Sequence, residues 1–346
     1  MKKNKKQNFI NNKTIFITGG TGSFGTGFID YLLENFNPKK IIIFSRDEYK
    51  QHLLKKKYDT HKKKRVLRFF IGDVRDKERL VFATKQVDVL FHAAALKQVD
   101  TAEYNPSEFI KTNILGAENI IFSALQNKVK KIIALSTDKA SSPINLYGAT
   151  KLVSDKLFVS ANDFRGLSNS EFSVLRYGNV MASRGSIIPY LLELKKLNKS
   201  PEITDKRMTR FSLTLLDGYR FVLKTLNSMV GGEIFVPRVS SYRLLDVFKS
   251  MDFKKKIIFT GIRPGEKMHE ELISPFESEN TFMFNNFYVI RPNSKTSLWS
   301  EKKFKKKNNL NNLVYCPPGF SYRSDTNSSF LSINQIKNFI NQIDKS

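Results

Sequence analysis

The stretch "TIFITGGTGSFG", Thr14 to Gly25, runs a short apolar strand pattern into a cluster of glycines, and a helical pattern follows it. Gly19, Gly22 and Gly25 have the spacing G-x-x-G-x-x-G, while Gly20, Gly22 and Gly25 also satisfy G-x-G-x-x-G. Glycines permit the sharp turn, and they let backbone N–H groups at the helix N-terminus approach a pyrophosphate. A tight turn without a ligand is the plain alternative, but the position in the first strand–helix unit favours a dinucleotide. The loop predicted to hold it comprises Gly19, Thr21, Gly22, Ser23, Phe24 and Gly25.

Outward from this loop, β-branched runs alternate with longer amphipathic ones, the pattern of βαβ units around a parallel sheet. Strands are predicted at 14–18, 40–45, 67–72, 88–93, 131–136 and 172–177, with the clearest helices at 107–127 and 147–163. Six strands with intervening helices predict an α/β fold, a Rossmann-type doubly wound parallel sheet. After about residue 180 the alternation breaks up, punctuated by Pro189, Pro201, Pro237, Pro264 and Pro275, and this half reads as a smaller C-terminal substrate-binding lobe. The expected organisation is a basic tail over 1–13, a dinucleotide-binding domain over 14–180 to which later segments return, and a lobe with a C-terminal helix over 181–346. The lysine-rich stretch 293–312 reads as a mobile insert, and Ser332 as the cap of the last helix.

The end of the second strand distinguishes NAD from NADP, since an acid there binds the ribose 2′-hydroxyl and an arginine accommodates a 2′-phosphate. Here it reads "FSRDE", so Ser45 and Arg46 precede Asp47, and NADP is the predicted cofactor. Arg46 could equally cap an exposed loop. After the third strand, Asp73 and Val74 of "GDVRD" are predicted to meet the adenine, although an aspartate in a turn also caps local backbone.

With 346 residues, 40% of them hydrophobic, the chain is long enough to bury a large core. One cysteine, Cys316, excludes an internal disulfide, and four histidines form no cluster at ligand spacing, so no metal is expected. No apolar run approaches the roughly 18 residues of a membrane span, and the opening "MKKNKKQNFINNK" has no hydrophobic stretch behind it, so a cytoplasmic protein without membrane insertion is expected. The formal charge of +26 raises nucleic acid as a partner. Its lysine-rich runs at 55–57, 62–64 and 301–309 lack the aromatic interleaving of a stacking platform, and solvated faces are the reading adopted, with no nucleic acid.

The chemistry concentrates in "STDKASSPINLYGATK", Ser136 to Lys151. Tyr147 and Lys151, four apart, share a helix face, where an ammonium and an oxidised nicotinamide favour the phenolate and make the tyrosine a base for an alcohol losing hydride. Asp138 and Lys139 follow the fifth strand, at the carboxyl edge where doubly wound sheets bind ligands. They are read as catalytic rather than as a surface ion pair, an addition that a simple epimerase would not need.

Together with the glycine loop, the Tyr147 and Lys151 pairing resembles the extended short-chain dehydrogenase/reductase superfamily. The runs "AAALKQVDTAEYNPSEFIKTNILGAENI", "STDKASSPINLYGATKLVSDKLF", "RYGNVMASRGSIIP", "ITDKRMTRF", "GIRPGEKMHEELI" and "YRSDTNSSFLSINQI" are similar to those of the inverting UDP-N-acetylglucosamine 4,6-dehydratases, which open the route to pseudaminic acid. The similarity covers nearly the whole chain apart from 293–312. Relatives that retain configuration carry Thr-Asp-Glu where this chain has Thr137, Asp138 and Lys139, and membrane-bound relatives carry similar motifs behind transmembrane helices.

The resemblance implies that Tyr147 takes the C4 hydroxyl proton while hydride passes to a tightly held, recycled NADP, with Thr137 orienting the C4 oxygen. Lys139, held partly neutral by burial and nearby cations, would remove the C5 proton. Asp138 would protonate the departing C6 hydroxyl, and hydride would return to C6 while a proton arrives at C5 on the opposite face. The order of acid and base between Asp138 and Lys139 stays open. The resemblance also implies UDP-sugar contacts from Asn179, Arg184, Arg210, Arg263 and Glu266, and cofactor contacts from Ala93 and Ala94. Lys97 could approach nicotinamide or sugar, or cap a helix. A homo-oligomer, dimer or hexamer, is expected. The rival readings are a UDP-hexosamine 4-epimerase and a redox-silent NADP-sensing regulator.

Overall fold

A computed structural model describes residues 9–181, 186–294 and 297–344, with side chains through Asn341. Six strands appear where the alternation of apolar runs predicts them: β1 (Thr14–Thr18), β2 (Lys40–Ser45), β3 (Leu67–Ile71), β4 (Val89–His92), β5 (Lys131–Thr137) and β6 (Glu171–Tyr177). They pair in parallel in the order 3-2-1-4-5-6, the doubly wound arrangement expected. The chain reverses sheet direction between β1 and β4, and at such a switch point a crevice opens beyond the strand carboxyl ends.

Burial on both faces explains why β1, β2, β4, β5 and β6 read as continuous apolar runs rather than alternating ones, while β3, at the sheet edge, is buried only at Leu67. Ile15 and Ile17 of β1 pack on one face with Phe28, Ile29 and Leu32 of helix α1 (Ser23–Asn35). Phe16 points to the other face, into a cluster with Leu80, Leu90 and Ile120.

The sheet does not end at β6. Strand Ile234–Pro237 adds in parallel, and Phe287–Ile290, Thr281–Met283 and Val314–Tyr315 continue it antiparallel to a total of ten strands. Between these returns the chain builds a smaller body around Met208, Tyr242, Phe248 and Ile336, drawn from helices Ile187–Lys196, Leu244–Ser250 and Ile333–Asp344. Ser332 caps the last of these helices reciprocally with Gln335, as each side chain accepts from the other's backbone N–H. Among the described residues no helix is long and apolar enough to cross a membrane.

Two local expectations fail. The helix predicted over 107–127 is interrupted: α-helical turns at Pro106–Phe109 and Gly116–Gln126 flank a π-helical segment, Ile110–Leu115. The wider turn lets Asn113 bond both the N–H and the carbonyl of Leu96 at 2.9 Å, and the Thr150 hydroxyl at 3.0 Å. A π-turn of this kind often marks a functional site. The second failure is the segment 293–312, which contains a helix, Glu301–Asn308, capped by Ser300. Its Phe304 is fully buried beside Phe282, and Trp299 donates through Nε1 to Glu233. Two aromatic anchors outweigh a lysine-rich exterior that remains in water.

Candidate active site

The glycine turn is built as its spacing requires. Gly19 has φ +64°, and a Cβ there would stand 2.9 Å from the backbone of Ala93 and Ala94. A Cβ on Gly25 would lie 2.6 Å from the carbonyl oxygen of Gly19, so α1 packs against its own turn only because residue 25 has no side chain. Thr18 locks β1 to β4: its hydroxyl oxygen accepts from Ala93 and Ala94 N–H and lies 2.8 Å from Nδ1 of His92. With two donors already aimed at that oxygen, the hydroxyl proton goes to His92, whose ring is held neutral by burial that lowers its pKa to about 3.

This turn forms one end of a cleft of about 640 Å³. Gly19, Gly22, Ser23, Phe24, Gly25, Ala93, Lys97, Tyr147 and Lys151 line it, whereas Thr21 is buried and Ala94 stands behind the turn. A cradle that side chains would fill, at a helix N-terminus, fits a nicotinamide dinucleotide.

Ser45, Arg46 and Asp73 sit outside the cleft lining, at the carboxyl ends of β2 and β3. The Arg46 guanidinium is half exposed and 3.8 Å from Asp73. Asp47 caps helix Glu48–Lys57 and also holds the Lys50 ammonium, so its carboxylate is already engaged. Val74, also expected to meet the adenine, has its side chain buried in the core against Gly116.

The residues after β5 form a 3₁₀ turn, Asp138–Ala140, and the helix Leu146–Ser160 begins directly against it. Asn145 caps that helix by accepting from Gly148 N–H, and its amide donates to Gly265 O at 2.8 Å. Tyr147 is thereby turned into the cleft above Thr137, Asp138 and Lys139.

Lys139 Nζ lies 3.1 Å from Asp138 Oδ1 and 2.9 Å from Glu270 Oε1. Both carboxylates are almost fully buried, and Thr137 donates to Asp138 Oδ1 at 3.0 Å. Burial alone would push the lysine's pKa down, but the two carboxylates outweigh it and the ammonium is favoured. The expectation of a partly neutral Lys139 among cations is therefore corrected, because its immediate partners are anions. Burial and the Glu270 charge push the Asp138 carboxyl upward, while Glu270 is held below its ordinary range by Lys139 and Arg210.

Tyr147 is pushed up to about 12 by burial, opposed by the Lys139 charge and the Thr137 hydroxyl. Lys151 donates to Leu135 O at 2.9 Å, and burial lowers its pKa against the field of Asp155.

Of the residues expected to touch the sugar nucleotide, Asn179, Arg210, Arg263 and Glu266 all line the same cleft as Lys97. Glu266 binds Arg210 at 3.5 Å and accepts from Arg263 N–H. Among the described residues, the buried Asn179 Oδ1 has no hydrogen-bond partner, leaving it open to a donor in the cleft. Arg184 lies outside the described residues.

Residues 15–292 match the family described as "Polysaccharide biosynthesis protein". The chain belongs to that family. It is a member of the extended short-chain dehydrogenase/reductase superfamily, as the Tyr147 and Lys151 pairing implied. The chain is 49% identical over 339 residues to a Campylobacter jejuni protein named UDP-N-acetylglucosamine 4,6-dehydratase (inverting), covering 96% of this chain and 98% of that one. It is 44% identical over 288 residues to a Rickettsia bellii protein named UDP-glucose 4-epimerase, covering 80% and 82%. The crystal structure of Pen from Bacillus thuringiensis superimposes with a TM-score of 0.85 at 35% identity, over 96% of this chain and 99% of that one.

Within this family member the sequence reading missed five residues that shape the site. Glu270 lies in "MHEELI" beside residues that were singled out, and nothing local marks it. Thr18, His92 and Asn113 act through contacts 17 to 76 residues away. Asn145 alone had a readable signal, an asparagine immediately before a helical run.

Proposed function

We propose that this protein is an NADP-dependent hydro-lyase, a UDP-N-acetylglucosamine 4,6-dehydratase that inverts C5 and performs the first step of pseudaminic acid biosynthesis. The product would be UDP-2-acetamido-2,6-dideoxy-β-L-arabino-hex-4-ulose. The reading rests on one observation: a buried carboxyl, Asp138, paired with the partly exposed ammonium of Lys139, faces the same cleft as Tyr147 and the dinucleotide turn. The relatives named as inverting dehydratases support it, as does lysine in the third position of "TDK". Cytoplasmic location, a homo-oligomer and a destination in flagellin glycosylation are parts of the same proposal.

When bound, the cofactor supplies positive charge beside the phenol and the two-electron acceptor and donor that the cycle needs. Tyr147 takes the C4 hydroxyl proton; burial pushes its phenol up to about 12, the Lys139 charge opposes that, and the positive charge of a bound cofactor would oppose it further. Thr137 holds the C4 oxygen. A ketone at C4 acidifies the C5 proton, and Lys139 removes it after giving up its own proton. Asp138, its carboxyl pushed upward by burial and by the Glu270 charge, donates its proton to the C6 hydroxyl as it leaves. Arg210, Arg263, Glu266, Asn179 and Lys97 would hold the UDP-sugar, the arginines suiting its phosphates through their planar fork. Arg46, half exposed at the end of β2, would meet the 2′-phosphate.

The test is proton NMR with UDP-N-acetylglucosamine and NADP in heavy water. A new sugar methyl signal, collapsed towards a singlet by deuterium at C5 and with ring couplings of the inverted ketose, is the expected result. The epimerase-named relatives favour a second reading, UDP-hexosamine 4-epimerisation. UDP-N-acetylgalactosamine in the spectrum would establish that reading instead.

A further inference from the structure

The following rests on the dehydratase reading. Elimination needs Asp138 to carry a proton for the leaving hydroxyl while Lys139 lacks one, both at the same moment. With Asp138 Oδ1 at 3.1 Å and Glu270 Oε1 at 2.9 Å from its Nζ, the ammonium form of Lys139 is favoured, so its proton must first move to a neighbour. Asp138 cannot accept it while protonated. One further acceptor touches the ammonium: Glu270 Oε1, at 2.9 Å.

Glu270 is built for that position. It is 2% exposed and lines the cleft, and among the described residues its Oε2 has no hydrogen-bond partner. Its backbone is fixed on both sides by Ser324, whose hydroxyl accepts from Glu270 N–H at 2.9 Å and whose N–H donates to Glu270 O at 2.8 Å. The charged or titratable groups around it are Asp138 and Lys139 from the turn after β5, Arg210 from strand Thr209–Phe211, Lys267 from its own segment and Tyr242 from strand Ser241–Arg243. Lys139 at 2.9 Å and Arg210 at 3.7 Å favour Glu270 as a carboxylate able to receive a proton, and Arg210 keeps part of that pull when Lys139 changes charge.

We propose that Glu270 is the positioning residue that takes and returns the proton of Lys139. One proton moves along the 2.9 Å bond, turning ammonium and carboxylate into amine and carboxylic acid with no change in total charge. The C5–H bond then breaks, its proton going to Lys139 Nζ and its electron pair into the carbon framework. The C6–O bond breaks with the proton of Asp138, and water leaves. Asp138 is now a carboxylate, Lys139 an ammonium and Glu270 an acid. Passing one proton from Glu270 through Lys139 to Asp138, over contacts of 2.9 and 3.1 Å, restores the starting state. The C5 proton has replaced the one lost in water.

The experiment compares wild type, Glu270→Gln and Glu270→Asp, loaded with NADP, by methyl formation and by single-turnover nicotinamide absorbance across about pH 6–9. In Glu270→Gln, C4 oxidation is expected to proceed while methyl formation falls at least about 100-fold at every pH, with KM within about threefold. Glu270→Asp, which can still accept a proton, should recover a large part of the loss. Glutamine at wild-type rate, or a profile merely displaced to lower pH as loss of one anion beside Lys139 would give, overturns the proposal. So does loss of NADP binding and thermal stability in both variants, which assigns Glu270 to the fold alone. A wild-type protein that forms no methyl product sinks the dehydratase reading instead, so the two failures are distinguishable.

Discussion

A Cβ on Gly148 would stand 2.2 Å from the carbonyl oxygen of Lys139. The helix that carries Tyr147 therefore rests directly on the turn that carries the acid and the amine, and the three functional groups move as one block. Gly148→Ala should cost about 1–3 kcal/mol as an overpacked contact, and it should lower turnover more than it weakens cofactor binding. Thermal melting with and without NADP, alongside methyl formation, measures both.

In the function proposed, cofactor choice turns on Arg46, because Asp47 is engaged as a helix cap. Arg46→Ala should weaken NADP by about 10- to 100-fold, the loss of a charge-assisted hydrogen bond to phosphate, while leaving NAD nearly unchanged. Titration of the two cofactors by calorimetry checks this; equal weakening of both would show that Arg46 does not select.

Acid stability carries the mark of His92. Its folded-state pKa is depressed to about 3, so between that value and the unfolded value of 6.5 the unfolded chain binds the extra proton. Stability therefore falls as pH drops through this window, by up to about 1.4 kcal/mol per pH unit from this group alone. His92→Asn, which can still accept from Thr18, should flatten that slope. Urea midpoints from neutral pH down to about 4 compare the two proteins.

Phe304 tests whether the lysine-rich segment is a working part of the fold. Fully buried beside Phe282, it should cost about 3–5 kcal/mol when replaced by Ala, with little direct effect on KM. Denaturant unfolding gives the number.

Legibility in the sequence followed the range of the interaction. β1 to β6, the glycine turn and the Tyr147–Lys151 spacing are specified by residues close in sequence, through apolar runs, backbone freedom and helix periodicity. Glu270 was invisible because its meaning comes from a lysine 131 positions away. The core packing of the Val74 side chain was not readable, because the turn rule sees the end of β3 but not the helix at Gly116 packed over it. The π-turn at Ile110–Leu115 depends on Asn113 finding Leu96, and the docking of Phe304 depends on aromatics from Thr281–Met283. In both, composition argued one way and a tertiary partner decided the other.

The return of the chain to its own sheet also fixes a timetable. During synthesis β6 emerges without its outer neighbour, since Ile234–Pro237 follows only later, and an unpaired strand edge is a template for association with other chains. Lys139 likewise waits for Glu270, which at about 5–20 residues per second arrives on the order of ten seconds afterwards. A nascent chain that stops short of residue 270 already holds the glycine turn, Tyr147 and Asp138, but its lysine has a single carboxylate for company. Ribosome pausing or premature release in that interval would yield a nucleotide-binding fragment with an open sheet edge, and the last third of the chain closes the edge and completes the chemistry together.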